Sequence, residues 1–262
     1  MLRTRIATTV VALPPLVALV LVGGWPFAVL VAVALTIAAA EFLHVAGTPR
    51  TGLAIGLALT AALALASRAD TDWRAAALIA AVVVPPLWPV FAARAATALH
   101  DWSTVTLAAL YYGWLGSHAV LLRDAPDGRA WLLLGLFAAF ATDTGAYFIG
   151  RSVGRHRLAP AISPRKTWEG ALGGWLAGLA VVLVLWRVAE LPLSAAEAAG
   201  LALVLPLVAE LGDLAKSAVK RSLGVKDFGR IVPGHGGMAD RIDSLLFALP
   251  LVFLWMRWFA SS

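Results

Sequence analysis

The stretch VPGHGGMADRIDSLLFALPLVFLW sets Asp240, Arg241 and Asp243 directly before a long apolar run. Charged side chains are costly at the edge of a bilayer and usually mark a functional site or a buried pair. Pro-Gly-His-Gly-Gly cannot be regular helix; it is a turn able to aim backbone N–H groups at an anion. Helix beginning near Met238 would set Asp240 and Asp243 three residues apart on one face. Such oxygen ligands suit Mg2+, which takes one or two carboxylates and completes its shell with substrate phosphates and water. The helix dipole also favours Asp in a first turn, which accounts for one of the two residues but not for the run. His235 fits either a turn residue or a phosphate contact.

A second constellation is AELGDLAKSAVKRSLGVKDFGR. Glu210, Asp213, Ser217 and Lys220 share a face if the preceding span continues as helix, with Arg221 next to Lys220. An internal Asp–Lys salt bridge at a helix end is the alternative use for these groups. A third is FAAFATDTGAYFIGRSVGRHRLAPAISPRKTWEG. Asp143 and Tyr147 lie four apart at the end of an apolar run, and Ser163, Arg165, Lys166, Thr167 and Glu169 crowd a short polar loop. The chain has only four lysines, Lys166, Lys216, Lys220 and Lys226, and all fall in these stretches. A compact ammonium suits phosphate oxygens as a point charge. Together the three constellations suit Mg2+-dependent phosphoryl or nucleotidyl transfer to a lipid. No P-loop, HExxH or GxSxG motif offers another chemistry.

The elements that must position these residues are membrane helices. Of the 262 residues, 61% are hydrophobic and 14% charged, against about 25% charged in a soluble protein. With no Cys there are no disulfides or thiolate ligands, and with no Asn there is no N-glycosylation site. Apolar runs predict an all-α polytopic membrane protein with nine spans: Ile6–Val22, Pro26–Ala46, Gly52–Ala66, Ala75–Phe91, Thr104–Leu122, Ala130–Phe148, Ala171–Val188, Ala195–Leu211 and Leu245–Phe259. The first run is expected to stay as a transmembrane helix rather than act as a cleaved signal, and Pro206 is expected to kink the eighth.

With the N-terminus inside, 15 of the 21 Lys and Arg residues fall in inner loops, as the positive-inside rule requires. The two long basic loops, roughly 149–170 and 212–244, then lie on the cytoplasmic face of the inner membrane. Residues 1–128 form the N-terminal helices and 129–262 the catalytic region. The net charge of +6 sits in loops rather than on a soluble face, which argues against a nucleic-acid binder. Glu41, late in the second span, is expected to pair with a basic residue.

The string SAVKRSLGVKDFGRIVPGHGGMADRIDS resembles the signature of phosphatidate cytidylyltransferases (CDP-diacylglycerol synthases). LGDL, DTGAYFIGR, LAPAISPRKTWEGALGG, RTRIATTVVALP and GGWPF extend the likeness over most of the chain, with residues 70–110 carrying little of it. The resemblance implies that CTP and phosphatidate give CDP-diacylglycerol and pyrophosphate. It implies Asp213 and Asp240 as ligands of Mg2+, with Asp243 in support and a second cation left open. Lys220, Arg221, Lys226 and Arg241 would hold phosphates. Ser163, Lys166 and Thr167 would line the nucleotide or lipid-phosphate site. Asp143 and Tyr147 would face the same cavity, and the backbone of Gly236 and Gly237 would approach the triphosphate; Ser217 and His235 complete the set. A homodimer is implied as well.

One departure stands out: Lys216 replaces the family's usual Glu, so that either metal is held differently or position 216 points away from the site. Other readings are a cytidylyltransferase for an isoprenoid ether lipid phosphate, an inactive paralogue, or a transporter, whose carboxylates would be spread through the bilayer.

Overall fold

A computed structural model describes residue 15, residues 17–229, residue 231 and residues 236–260. Helix makes up 80% of the structure, and among the described residues six helices are long and apolar enough to cross a bilayer. Two apolar helices of 17 residues, Arg50–Ala66 and Asp243–Phe259, are shorter. Most of the expected first span lies outside the described residues. The chain divides into two compact units, Met1–Asp124 with Asp227–Ile242, and Ala125–Lys226 with Asp243–Ser262.

In the first unit, α1 (Gly24–Val45), α2 (Arg50–Ala66), α3 (Thr71–Phe91) and the continuous α4 (Ala95–Asp124) pack together. Their contacts rest on small residues: Ala28, Ala38, Ala39, Ala64, Ala108 and Ala109 are all buried. Lipid tails are as apolar as Leu, so close backbone approach, not hydrophobic contrast, holds such helices together. Backbone polar groups must be satisfied inside the unit. Arg123 donates to the Val20 and Leu21 carbonyls at 2.6 and 2.8 Å, and the Asp70 carboxylate caps α3 by accepting from Trp73 N at 3.0 Å. Asp101, buried within α4, accepts from Arg94 Nε at 2.8 Å and Thr97 Oγ1 at 2.7 Å. Residues Ala109–Leu115 of α4 run as π-helix, a local widening of the turn.

In the second unit, α5 (Gly128–Ser152), α6 (Trp168–Val188), α7 (Ala195–Ser222) and α8 (Asp243–Phe259) pack side by side. Between α5 and α6 lies an antiparallel hairpin, β1 (Arg157–Ala159) with β2 (Ser163–Thr167). The α5–α6 contact is a glycine face. A Cβ on Gly174 would press 2.5 Å from the Thr142 carbonyl oxygen, and one on Gly178 would overlap the Thr142 hydroxyl and Pro206. Thr167 caps α6 through Gly170 N at 3.1 Å, and Ser194 with Glu197 forms a capping box at the start of α7.

Three sequence expectations change. The helix expected to stop at Leu211 runs to Ser222, continuous through Pro206, so Asp213, Lys216, Ser217, Lys220 and Arg221 are helical rather than part of a loop. Charged residues ended the hydropathic segment, but they do not break a helix. The 149–170 stretch is not plain loop; it completes α5 and forms the hairpin. Asp240 and Asp243 do not share one helix face. Ala239–Arg241 is a 3-10 turn, Ile242 is non-helical at φ −113°, and α8 starts at Asp243.

Candidate active site

The predicted site residues fall into two groups, one in each unit. In the second unit the order begins at the hairpin. The Glu169 carboxylate accepts the backbone N–H groups of Arg155 at 3.1 Å and His156 at 3.2 Å, and it meets His156 Nδ1 at 2.5 Å. This clasps the chain leaving α5 to the first turn of α6. Arg221, at the end of α7, donates to the Ile162 carbonyl in the hairpin turn at 3.1 Å and to Val225 O at 3.3 Å. The hairpin is thus braced at both ends, and it carries Ser163, Lys166 and Thr167.

Lys166 reaches from β2 to two carboxylates on α7, Asp213 Oδ2 at 2.9 Å and Glu210 Oε1 at 3.7 Å. One turn further along α7, Lys216 lies 3.6 Å from Asp243 Oδ2 at the start of α8, and only 2% of Lys216 is exposed. Next to it, Ser244 Oγ donates to Asp143 Oδ2 on α5 at 3.1 Å. Asp213 is close enough to both Asp143 and Asp243 to repel them, and Lys220 is close enough to attract Asp243. Asp143, Glu210, Asp213 and Asp243 thus gather from three helices and are partly neutralised by Lys166 and Lys216. Of the two readings of position 216, the geometry favours the one in which it does not point away, since the Lys216 ammonium lies 3.6 Å from Asp243 Oδ2.

Ser217 is buried on the same turn of α7, and the exposed Lys226 follows the helix. Tyr147 lies one turn beyond Asp143 on α5. It is exposed, and its hydroxyl accepts from Arg151 Nη1 at 2.8 Å.

In the first unit, Asp240 Oδ2 accepts the Phe228 N–H at 3.0 Å, closing the loop on itself. Gly236 adopts φ +90°, which a side chain would resist, and Arg241 is exposed. His235 lies outside the described residues. Glu41, on α1, accepts the Ala239 N–H at 2.8 Å. Its expected basic partner is not found: among the described residues, no Lys, Arg or His forms an ion pair with it.

The sequence reading noted Glu41 but not its contact with the Ala239 N–H. Its signal was present, since a carboxylate inside an otherwise apolar span always needs a reason. Glu210 was noted for its spacing alone and proves to share Lys166 with Asp213.

No three Asp, Glu or His side chains among the described residues gather as a complete metal site. A Mg2+ ion that takes ligands from substrate phosphates and water does not need three, and the carboxylate oxygens present are of the right type.

The model of the cytidylyltransferase family matches residues 3–259. A phosphatidate cytidylyltransferase of Bacillus subtilis (strain 168) is 33% identical over 267 residues, spanning 99% of both chains. Those of Staphylococcus aureus (strain COL) and Staphylococcus epidermidis (strain ATCC 12228) are 44% and 45% identical over 126 residues, 48% of each chain.

Proposed function

The chain belongs to the cytidylyltransferase family, and from that premise we propose that it transfers the cytidylyl group of CTP to phosphatidate. The products are CDP-diacylglycerol and pyrophosphate. The observation that carries this reading is the set of carboxylates and lysines joined through Lys166, Asp213, Glu210, Lys216 and Asp243. A transporter would spread such groups through the bilayer, whereas in the second unit they cluster.

In the proposed reaction an oxygen of the phosphatidate phosphate forms a bond to the α-phosphorus of CTP. The bond from that phosphorus to the bridging β-oxygen breaks, and pyrophosphate leaves with its electrons. No protein nucleophile is required. Bound Mg2+ would supply Lewis-acid stabilisation of the charge that develops on phosphate oxygens; Asp213 in the second unit and Asp240 in the first are each proposed as a metal ligand. Lys166, Lys220, Lys226 and Arg241 would hold phosphate oxygens as fixed cations, and Lys166 would exchange a carboxylate partner for a phosphate. Ser163, Thr167 and the braced hairpin would orient the substrate. Location in the inner membrane with the motifs facing the cytoplasm, and assembly as a homodimer, belong to the same proposal.

The test is to supply purified protein with CTP, Mg2+ and a panel of lipids. Phosphatidate should yield CDP-diacylglycerol, diacylglycerol should yield nothing, and chelation of Mg2+ should stop the reaction. Product only from an isoprenoid ether lipid phosphate would reassign the substrate, and no cytidylylated lipid from any phosphate would remove the reading.

A further inference from the structure

We infer that Glu41 is a positioning residue for this reaction, its buried carboxylate fixing the turn that carries Asp240 and Arg241. The inference rests on the proposed function for its kinetic consequence, but its geometry lies wholly within the first unit. Glu41 sits in α1, far in sequence from the three polar constellations, and is 6% exposed. A carboxylate in that place weakens a membrane helix, where Leu or Ala would serve packing better.

What it gains is the loop. Glu41 Oε2 accepts the Ala239 N–H at 2.8 Å, at the first residue of the 3-10 turn that contains Asp240 and Arg241. Gly229 and Gly237 both approach the carboxylate, so closely that a Cβ on either would overlap it. The neighbouring Phe42 holds Phe228 edge-on, with ring centroids 5.8 Å apart. The Phe228 N–H in turn donates to Asp240 Oδ2 at 3.0 Å. Asp240 is therefore held twice, once through Ala239 and once through Phe228, and both ties lead to adjacent residues of α1. The two glycines are explained together: each leaves room for the one acidic side chain that reaches the loop.

Glu41→Ala should lower kcat by about 100-fold, the scale expected when a catalytic group is misplaced by about 1 Å. Glu41→Gln keeps an oxygen for the Ala239 N–H and should stay within about fivefold of wild type. Gly229→Ala, which drives a methyl group into the same carboxylate, should reproduce the alanine defect. Limited trypsin digestion supplies a readout independent of turnover. Cleavage after Lys226 and Arg241 should quicken about tenfold in Glu41→Ala, with cleavage after Arg187 unchanged. Wild-type kcat in Glu41→Ala, or protection lost equally along the whole chain, would overturn the inference. If wild-type protein cytidylylates no lipid, the functional reading fails while the digestion still tests the tie.

Discussion

Asp213→Asn and Asp240→Asn should each reduce cytidylyl transfer at least about 1,000-fold, equivalent to ~4 kcal/mol of transition-state stabilisation. Both should leave a folded, membrane-inserted protein. The distinction rests on magnitudes. Asp213 is bound to Lys166 at 2.9 Å, but its side chain is 29% exposed, so the pair contributes only about 0–1 kcal/mol to folding. Lys166 also keeps Glu210, at 3.7 Å. The Asp240 bond to Phe228 N survives in Asn, whose carbonyl oxygen still accepts. What each substitution removes is a negative charge, and charge is what the proposed ion requires. Rates within threefold of wild type in either variant would show that this side chain is not a ligand.

Lys216→Met should have the largest effect on stability. Its side chain is 2% exposed, and its ammonium lies 3.6 Å from Asp243. Removing one partner of a buried pair typically costs about 3–5 kcal/mol, because the other charge is stranded. Here Asp243 would keep the attraction of Lys220 but also the repulsion of Asp213. Lys216→Met/Asp243→Asn should therefore recover much of the loss, a coupling that thermal denaturation in detergent will measure. Lys216→Glu exchanges the cation for a carboxylate and moves the local charge by two units. It should be unstable without divalent ions and gain more from added Mg2+ than wild type does, since a ligand that binds only the folded state adds stability with its concentration. Unchanged denaturation of Lys216→Met would show that the pair supports nothing.

Hydropathy located the helices well: Pro26–Ala46 became Gly24–Val45, and Ala171–Val188 became Trp168–Val188. It failed where polarity and helicity part company. Six of the last 11 residues of α7 are polar or charged, yet the helix continues with the spacing that aligns Glu210, Asp213, Ser217 and Lys220. The 3-10 turn before α8 was illegible, because Met-Ala-Asp-Arg would suit a helical first turn equally well. Lys216 could be noticed as a departure, but nothing in the sequence sets its ammonium against Asp243. The role of Glu41 could not be read from its neighbours in sequence, since its partner Ala239 lies 198 residues away.

The most direct measurement follows the label from CTP. Purified protein with Mg2+ and phosphatidate should carry the α-phosphorus of CTP into the lipid and release the γ-phosphorus as pyrophosphate, in equal amounts. Label from the γ-position in the lipid, or none from the α-position, would contradict cytidylyl transfer outright.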